Sequence, residues 1–251
     1  MRALIVKEIA EHRLFLLFPV ILVVLVLAMG SALQALGLLT LDDANTLLVG
    51  LCLMVPPFLG LLAGAPLFAG EFSRGTVPLL FGLPFSRLRI WGAKAAAGAL
   101  LALLGTLVFT APSLTAARVV PRASDLSFIV PGLLVLTLTP LALSLFCSVL
   151  SERPLNALLA GLMLTPALGI APALAITRLE GLGRITHDPT ALFFILAVAP
   201  IPPLLWASAV TVQRGETLTR ARKWLVALLT LGGGLLLMTP VAVLAWAAFL
   251  R

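Results

Sequence analysis

The chain has 251 residues, of which 61% are hydrophobic and only 11% charged, and its mean hydropathy is +1.16. A soluble domain carries about 25% charged and roughly 45–50% apolar residues, so a water-soluble fold is excluded and a membrane protein is expected. The net charge of +7 does not point to nucleic acid, because the basic residues lie in short clusters beside apolar runs, where headgroup contact and topology account for them.

Apolar runs of about 20 residues, enough to cross a hydrocarbon core of roughly 30 Å as helix, recur along the chain. Residues 1–13 mix charges with aliphatics and suggest an interfacial lead-in helix, although no single face gathers the apolar residues. The run 14–39 exceeds the apolar core of a signal peptide, about 7–15 residues, and reads as the first span. Asp42 or Asp43 is placed to cap the second span, 47–69. A polar loop, 69–98, leads into the third span, 95–117, and a fourth follows at 128–150. The link 151–154 is so short that the fifth span, 155–177, must return antiparallel beside the fourth. After the loop 178–190, Asp188 and Pro189 mark a helix start for the sixth span, 191–212. A basic segment, 213–224, precedes a seventh span at 225–250. The expected fold is an all-α, polytopic transmembrane helix bundle.

Lys and Arg counts set its orientation. Twelve fall on the side of the N-terminus and five on the other, which places the N-terminus and the loop 69–98 in the cytoplasm.

The spans hold no ionisable side chain away from their ends, so an intramembrane proton or ion relay is not expected. Ser31 and Gln34 are the most polar side chains at depth, suited either to helix–helix hydrogen bonding or to lining a substrate path. Prolines inside spans, among them Pro56, Pro57 and Pro140, are expected to kink or break their helices. Gly60 and Gly64, four apart, offer a close helix–helix approach. Cys52 and Cys147 fall in apolar runs and read as small hydrophobes.

No catalytic, metal or cofactor site is expected. His12 and His187 fall on opposite sides of the membrane and neither neighbours a cysteine. Ser124, His187 and Asp188 are loop residues with capping roles. The chain has no G-x-x-x-x-G-K-[ST] to cradle a nucleotide. It is therefore not expected to be an enzyme, and energy for any work must come from a partner.

The loop reads AGEFSRGTVPLLFGLPFSRLRIWGAKAAAG. Thr76 can cap a short helix over 77–81, with Pro78 in its first turn and Gly82 ending it. Pro84 then bends the chain, and Ser86 caps the helix that becomes the third span. Leu79, Leu80, Phe81, Leu83 and Phe85 would form an apolar patch among charges, suited to a protein partner or to the lipid headgroup layer.

The order Glu71, Gly75, Thr76, Leu79, Leu80, Pro84, Ser86, Arg87, Lys94 between the second and third spans resembles the loop of ABC-2 type permeases, the membrane subunits of ATP-binding-cassette exporters. Lys7-Glu8 before the first span, the short link 151–154 and the basic segment 213–216 are similar too. The resemblance implies a multi-pass inner-membrane permease that dimerises with a second copy or homologue. Two separate ATPase subunits would bind ATP and Mg, with no cofactor in this chain. The loop would dock on the ATPase as a coupling helix, with Glu71, Arg74, Gly75 and Thr76 in the contact and Leu79, Leu80 and Phe81 as its apolar face. Arg87 and Lys94 would anchor the start of the third span.

Such permeases have six spans, so residues 1–220 correspond to the ABC-2-like domain and 221–251 to an appended helix. Membrane lipid and a periplasmic or membrane accessory protein are further expected partners. Two alternatives stay open: a member of this architecture that transmits ATP-driven motion without moving a solute, and an intramembrane protein with no ATPase.

Overall fold

Residues 2–82, 84–117, 123–165 and 197–214 are described by a computed structural model. Among them every regular element is helical: α1 (Arg2–Glu11), a 3-10 turn (Arg13–Leu16), α2 (Leu17–Ala35), α3 (Leu41–Gly64), α4 (Pro66–Arg74), α5 (Val77–Phe81), α6 (Arg87–Ala116), α7 (Ala123–Leu150), α8 (Pro154–Thr165) and α9 (Ile201–Arg214). Four elements are long and apolar enough to cross a membrane: Arg13–Ala35, Leu41–Arg74, Arg87–Ala116 and Ile129–Leu150. They correspond to the first four expected spans. Only parts of the fifth and sixth expected spans are described, as α8 and α9, and the expected seventh at 225–250 and the loop 178–190 lie outside the described residues.

Helix starts follow local chemistry. Thr40, not Asp42 or Asp43, is the N-cap of α3: its hydroxyl oxygen accepts from Asp43 N at 3.2 Å, while the Asp43 carboxylate accepts from Thr40 N at 3.2 Å. This reciprocal capping box extends the helix six residues beyond the expected start at 47, because capping outweighs the polarity of the first turn. Ser86 is extended and accepts from Arg89 N at the start of α6, as expected.

The prolines act differently from expectation. Pro56, Pro57 and Pro140 lie inside unbroken helices, and the interruption comes at Ala65, where Pro66 opens α4. Ser148 of α7 bridges this point. Its hydroxyl donates to Ala65 O at 2.8 Å and accepts from Phe68 N and Ala69 N at 3.0 and 2.9 Å. One turn away Ser144 donates to Leu61 O at 2.8 Å. A neighbouring helix thus satisfies backbone groups that a proline frees, a necessity where no water reaches.

Helix α7 is the centre of the bundle, packing on α3, α4, α6 and α9. Within its most apolar stretch 72% is buried, against 17% for the first span, so α2 is peripheral and turns Ile21, Val24, Leu25 and Met29 outward to lipid or a partner. Close packing of α3 on α7 depends on small residues. A Cβ at Gly60 would sit 2.3 Å from Thr137 O, and one at Gly64 would sit 2.8 Å from the Ser144 Cβ. Across the α6–α7 contact Thr137 donates to Leu133 O, leaving the Thr106 hydroxyl to donate to Thr137 at 3.1 Å. Cys52 and Cys147 are buried free thiols in two apolar clusters, one around Leu59 and Phe109 and one around Phe146 and Leu204.

Two substitutions test this packing by thermal unfolding in detergent. Gly60→Ala should lower the melting temperature sharply because its methyl meets backbone that cannot yield, whereas Gly50→Ala, with open space around it, should be neutral or slightly stabilising, since alanine favours helix by about 1 kcal/mol. Ser148→Ala should cost about 1–3 kcal/mol through the stranded backbone groups, and equal melting of Ser148→Ala and the parent would show that the break needs no brace.

Candidate functional site

Three helices meet through charge at the end of the bundle where α4 gives way to α5. Lys94 lies about two turns into α6, and its stem runs past the Phe68 ring, 5.8 Å from Nζ. The ammonium donates to Glu8 Oε1 of α1 at 2.7 Å and to Glu71 Oε1 of α4 at 3.0 Å. Lys94 is 1% exposed and Glu8 is fully buried. A lone buried ion costs several kcal/mol, and a cation held between two carboxylates recovers much of that cost. The second oxygen of Glu71 accepts from the Thr76 hydroxyl.

The second oxygen of Glu8 is different. Oε2 has no hydrogen-bond partner among the described residues and faces His12 Nε2 at 3.9 Å, too far for a hydrogen bond. Burial lowers the His12 pKa below its usual value; Lys94 and Arg74 push the same way, against Glu8 and Glu11. The imidazole is therefore neutral at neutral pH. Glu11 pairs with Lys7 at 3.4 Å on the surface, and carboxylate oxygens of Glu8, Glu11 and Glu71 lie within 4.8 Å of one another.

Two features of this cluster were not read from the sequence: Lys94 near the start of α6 is buried, and three carboxylates come close together. Glu8, Glu11 and His12 share one face of α1 at i, i+3 and i+4 spacing, which is the signal a sequence reading could have used. Their convergence with Glu71 and Lys94 is a tertiary fact that no local spacing carries.

The connecting loop grows from this cluster. Gly75 adopts φ +69° and ends α4, with Thr76 N donating to Glu71 O at 3.1 Å and Gly75 N to Phe72 O at 3.2 Å, the bond pattern of a Schellman turn. Thr76 precedes α5, yet it makes no capping bond: its backbone is already helical, at φ −87° and ψ −3°, and its hydroxyl turns to donate to Glu71. In α5 Leu80 is 6% exposed, Phe81 is half-buried against the cluster around Phe68 and Leu145, and Leu79 is 75% exposed. The expected apolar face therefore loses Leu80 to the core. Exposed Phe85 and Leu88 stand near Leu79 in sequence, with exposed Arg74 and Arg89 flanking them.

Arg87 and Lys94 both lie in the first turns of α6. The Arg87 guanidinium lies 5.0 Å over the Phe81 ring and donates to Gln213 O at 3.2 Å, and Trp91 Nε1 donates to Ser208 Oγ at 3.0 Å, joining α6 to α9. Lys94, being buried, presents nothing to a surface partner.

Ser31 and Gln34 lie at the opposite end of the bundle. They line a groove of about 460 Å3 between the last turns of α2 and the first turns of α3, together with Asp42, Asn45, Leu33 and Leu48. The Ser31 hydroxyl donates to Ala28 O of its own helix at 2.9 Å, which leaves Gln34, Asp42 and Asn45 as the polar groups of the groove.

Compared with family models, curated proteins and solved structures, the chain matches none.

Removing one member of the ion cluster should strand the others. Lys94→Met leaves two buried carboxylates facing each other and should cost about 3–5 kcal/mol, read as a lower melting temperature and faster tryptic release of α1. Adding Glu8→Gln and Glu71→Gln to Lys94→Met should restore part of the loss. A Lys94→Met protein as stable as Lys7→Met would disprove the role given to the cluster.

Proposed function

We propose that the chain is the membrane subunit of an ABC-2 type exporter, working as a dimer and driven by ATPase subunits that dock on α5. The observation that carries this reading is the form of the 69–98 loop: a short helix with Leu79 exposed, set between two apolar spans and rooted by Glu71 in a buried ion cluster. A force applied at α5 passes through Thr76 and Glu71 to Lys94 of α6 and Glu8 of α1, so one contact addresses three helices. The surface for that contact is Leu79, Phe85 and Leu88 with Arg74 and Arg89, an apolar centre with a charged rim. The charge bias of the sequence places it in the cytoplasm, where an ATPase would be met.

The groove at the far end, with Gln34, Asp42 and Asn45 amid leucines, offers the other half of such a device. Peripheral α2 and its outward aliphatic face suit a second permease copy. Alternating access would arise from two arrangements of that interface, selected by the state of the ATPases. The substrate is apolar or amphipathic in this reading, since apolar side chains dominate the lining.

The chain's own thiols are buried, so a single introduced cysteine reports cleanly. Leu79→Cys, treated with a bifunctional maleimide in native membranes, should crosslink to a polypeptide carrying a Walker A motif. Leu79→Glu should lower ATP turnover of the purified complex by about tenfold or more, as loss of a central apolar anchor does. Crosslinks to lipid or to no ATPase at all, with no ATP turnover in the purified material, would refute the proposal.

A further inference from the structure

The cluster at α1, α4 and α6 holds more than its lysine accounts for. Three carboxylates, Glu8, Glu11 and Glu71, bring oxygens within 4.8 Å of one another. Lys94 occupies one oxygen each of Glu8 and Glu71, and Lys7 touches only Glu11, at the surface and at 3.4 Å. The decisive atom is Glu8 Oε2: the side chain is 1% exposed, and this oxygen has no hydrogen-bond partner among the described residues. A buried carboxylate oxygen left bare has given up its hydration with nothing in exchange, so an occupant is called for.

Three observations select its chemistry. Carboxylate oxygens of Glu8, Glu11 and Glu71 lie within 4.8 Å of one another, and His12 Nε2 lies 3.9 Å from the bare oxygen, a donor set of oxygens with one nitrogen. Carboxylates sharing an ion at about 2.1 Å lie roughly 3–4 Å apart, a closure that small rotations of exposed Glu11 supply. Access is open, because Glu11 and His12 both reach the surface. Imidazole beside carboxylate suits first-row transition metals, while Mg2+ demands near-ideal octahedral geometry and sheds water reluctantly.

We infer that Glu8, Glu11 and Glu71, with His12 alongside, form a binding site for a divalent transition-metal ion that clasps the N-terminal helix α1 to α4. Lys94 then fixes Glu8 and Glu71 through Oε1 of each, and the Thr76 hydroxyl holds Glu71 Oε2, as partners of metal-bound carboxylates do. The inference stands apart from the exporter reading, since it needs no ATPase and no substrate.

The test uses the purified full chain in detergent, carried on a tag without histidines and stripped with chelator. Zn2+, Mn2+ and Mg2+ are titrated separately, with bound metal read by elemental analysis after dialysis and stability by melting temperature. The expected result is saturable binding of a single Zn2+ or Mn2+ per chain, tighter than Mg2+, with a rise in melting temperature. Glu11→Gln leaves the Lys94 pairings intact and should weaken binding by about tenfold or more, abolishing the thermal rise; His12→Gln should weaken it less. No saturable binding by about 100 μM metal, or binding that Glu11→Gln does not change, would overturn the inference, and so would a cluster that takes up a proton but no metal.

Discussion

The ammonium of Lys94 is the point on which this end of the protein depends. It is almost wholly enclosed, and its two carboxylate partners come from two different helices, α1 and α4. An ion pair of this kind adds little net stability over well-packed apolar residues. Its value lies in specificity, since only one arrangement of α1, α4 and α6 leaves no ammonium unpaired. The α4–α5 turn is tied to the same cluster: the Thr76 hydroxyl donates a hydrogen bond to Glu71.

A second economy runs along α7. Thr137, Leu141, Ser144 and Ser148 fall on one face at i, i+4, i+7 and i+11. Opposite them stand Gly60, Gly64 and Ala65. Small residues on one helix admit the hydroxyls of the other to backbone depth, where Ser144 and Ser148 reach carbonyls directly. With lipid tails as apolar as leucine, helix association must come from packing and hydrogen bonds of this sort. The interruption at Pro66 is tolerated for the same reason, and without Ser148 it would expose unsatisfied backbone inside the bundle.

Much of the architecture was legible in the residues because membrane thickness imposes a length on every span. The first four spans, the Ser86 cap, the Gly60 and Gly64 approach and the short helix at 77–81 all follow from local patterns. What failed had tertiary causes. Pro56 and Pro57 were expected to kink or break α3 and leave it unbroken, while Pro66 does interrupt the element, with Ser148 eighty residues away to accept from the amides there. Leu80 looked like part of an exposed patch, but one face of α5 rests on the core. Residues 1–13 read as an interfacial helix without an apolar face; that irregular pattern fits a helix docked through the charge of Glu8.

The burial of Glu8 also fixes an order of events. Its partner lies 86 residues further along the chain, beyond two apolar elements that must already be threaded into the bilayer. Until α6 emerges, Glu8 has nothing to neutralise it and α1 must wait in the wet headgroup layer. Docking of α1 is therefore a late step of assembly, and it closes only over a correctly inserted α3–α4 and α6. A helix made before α6 is thus placed only after it, which makes its position a register of whether the rest has folded.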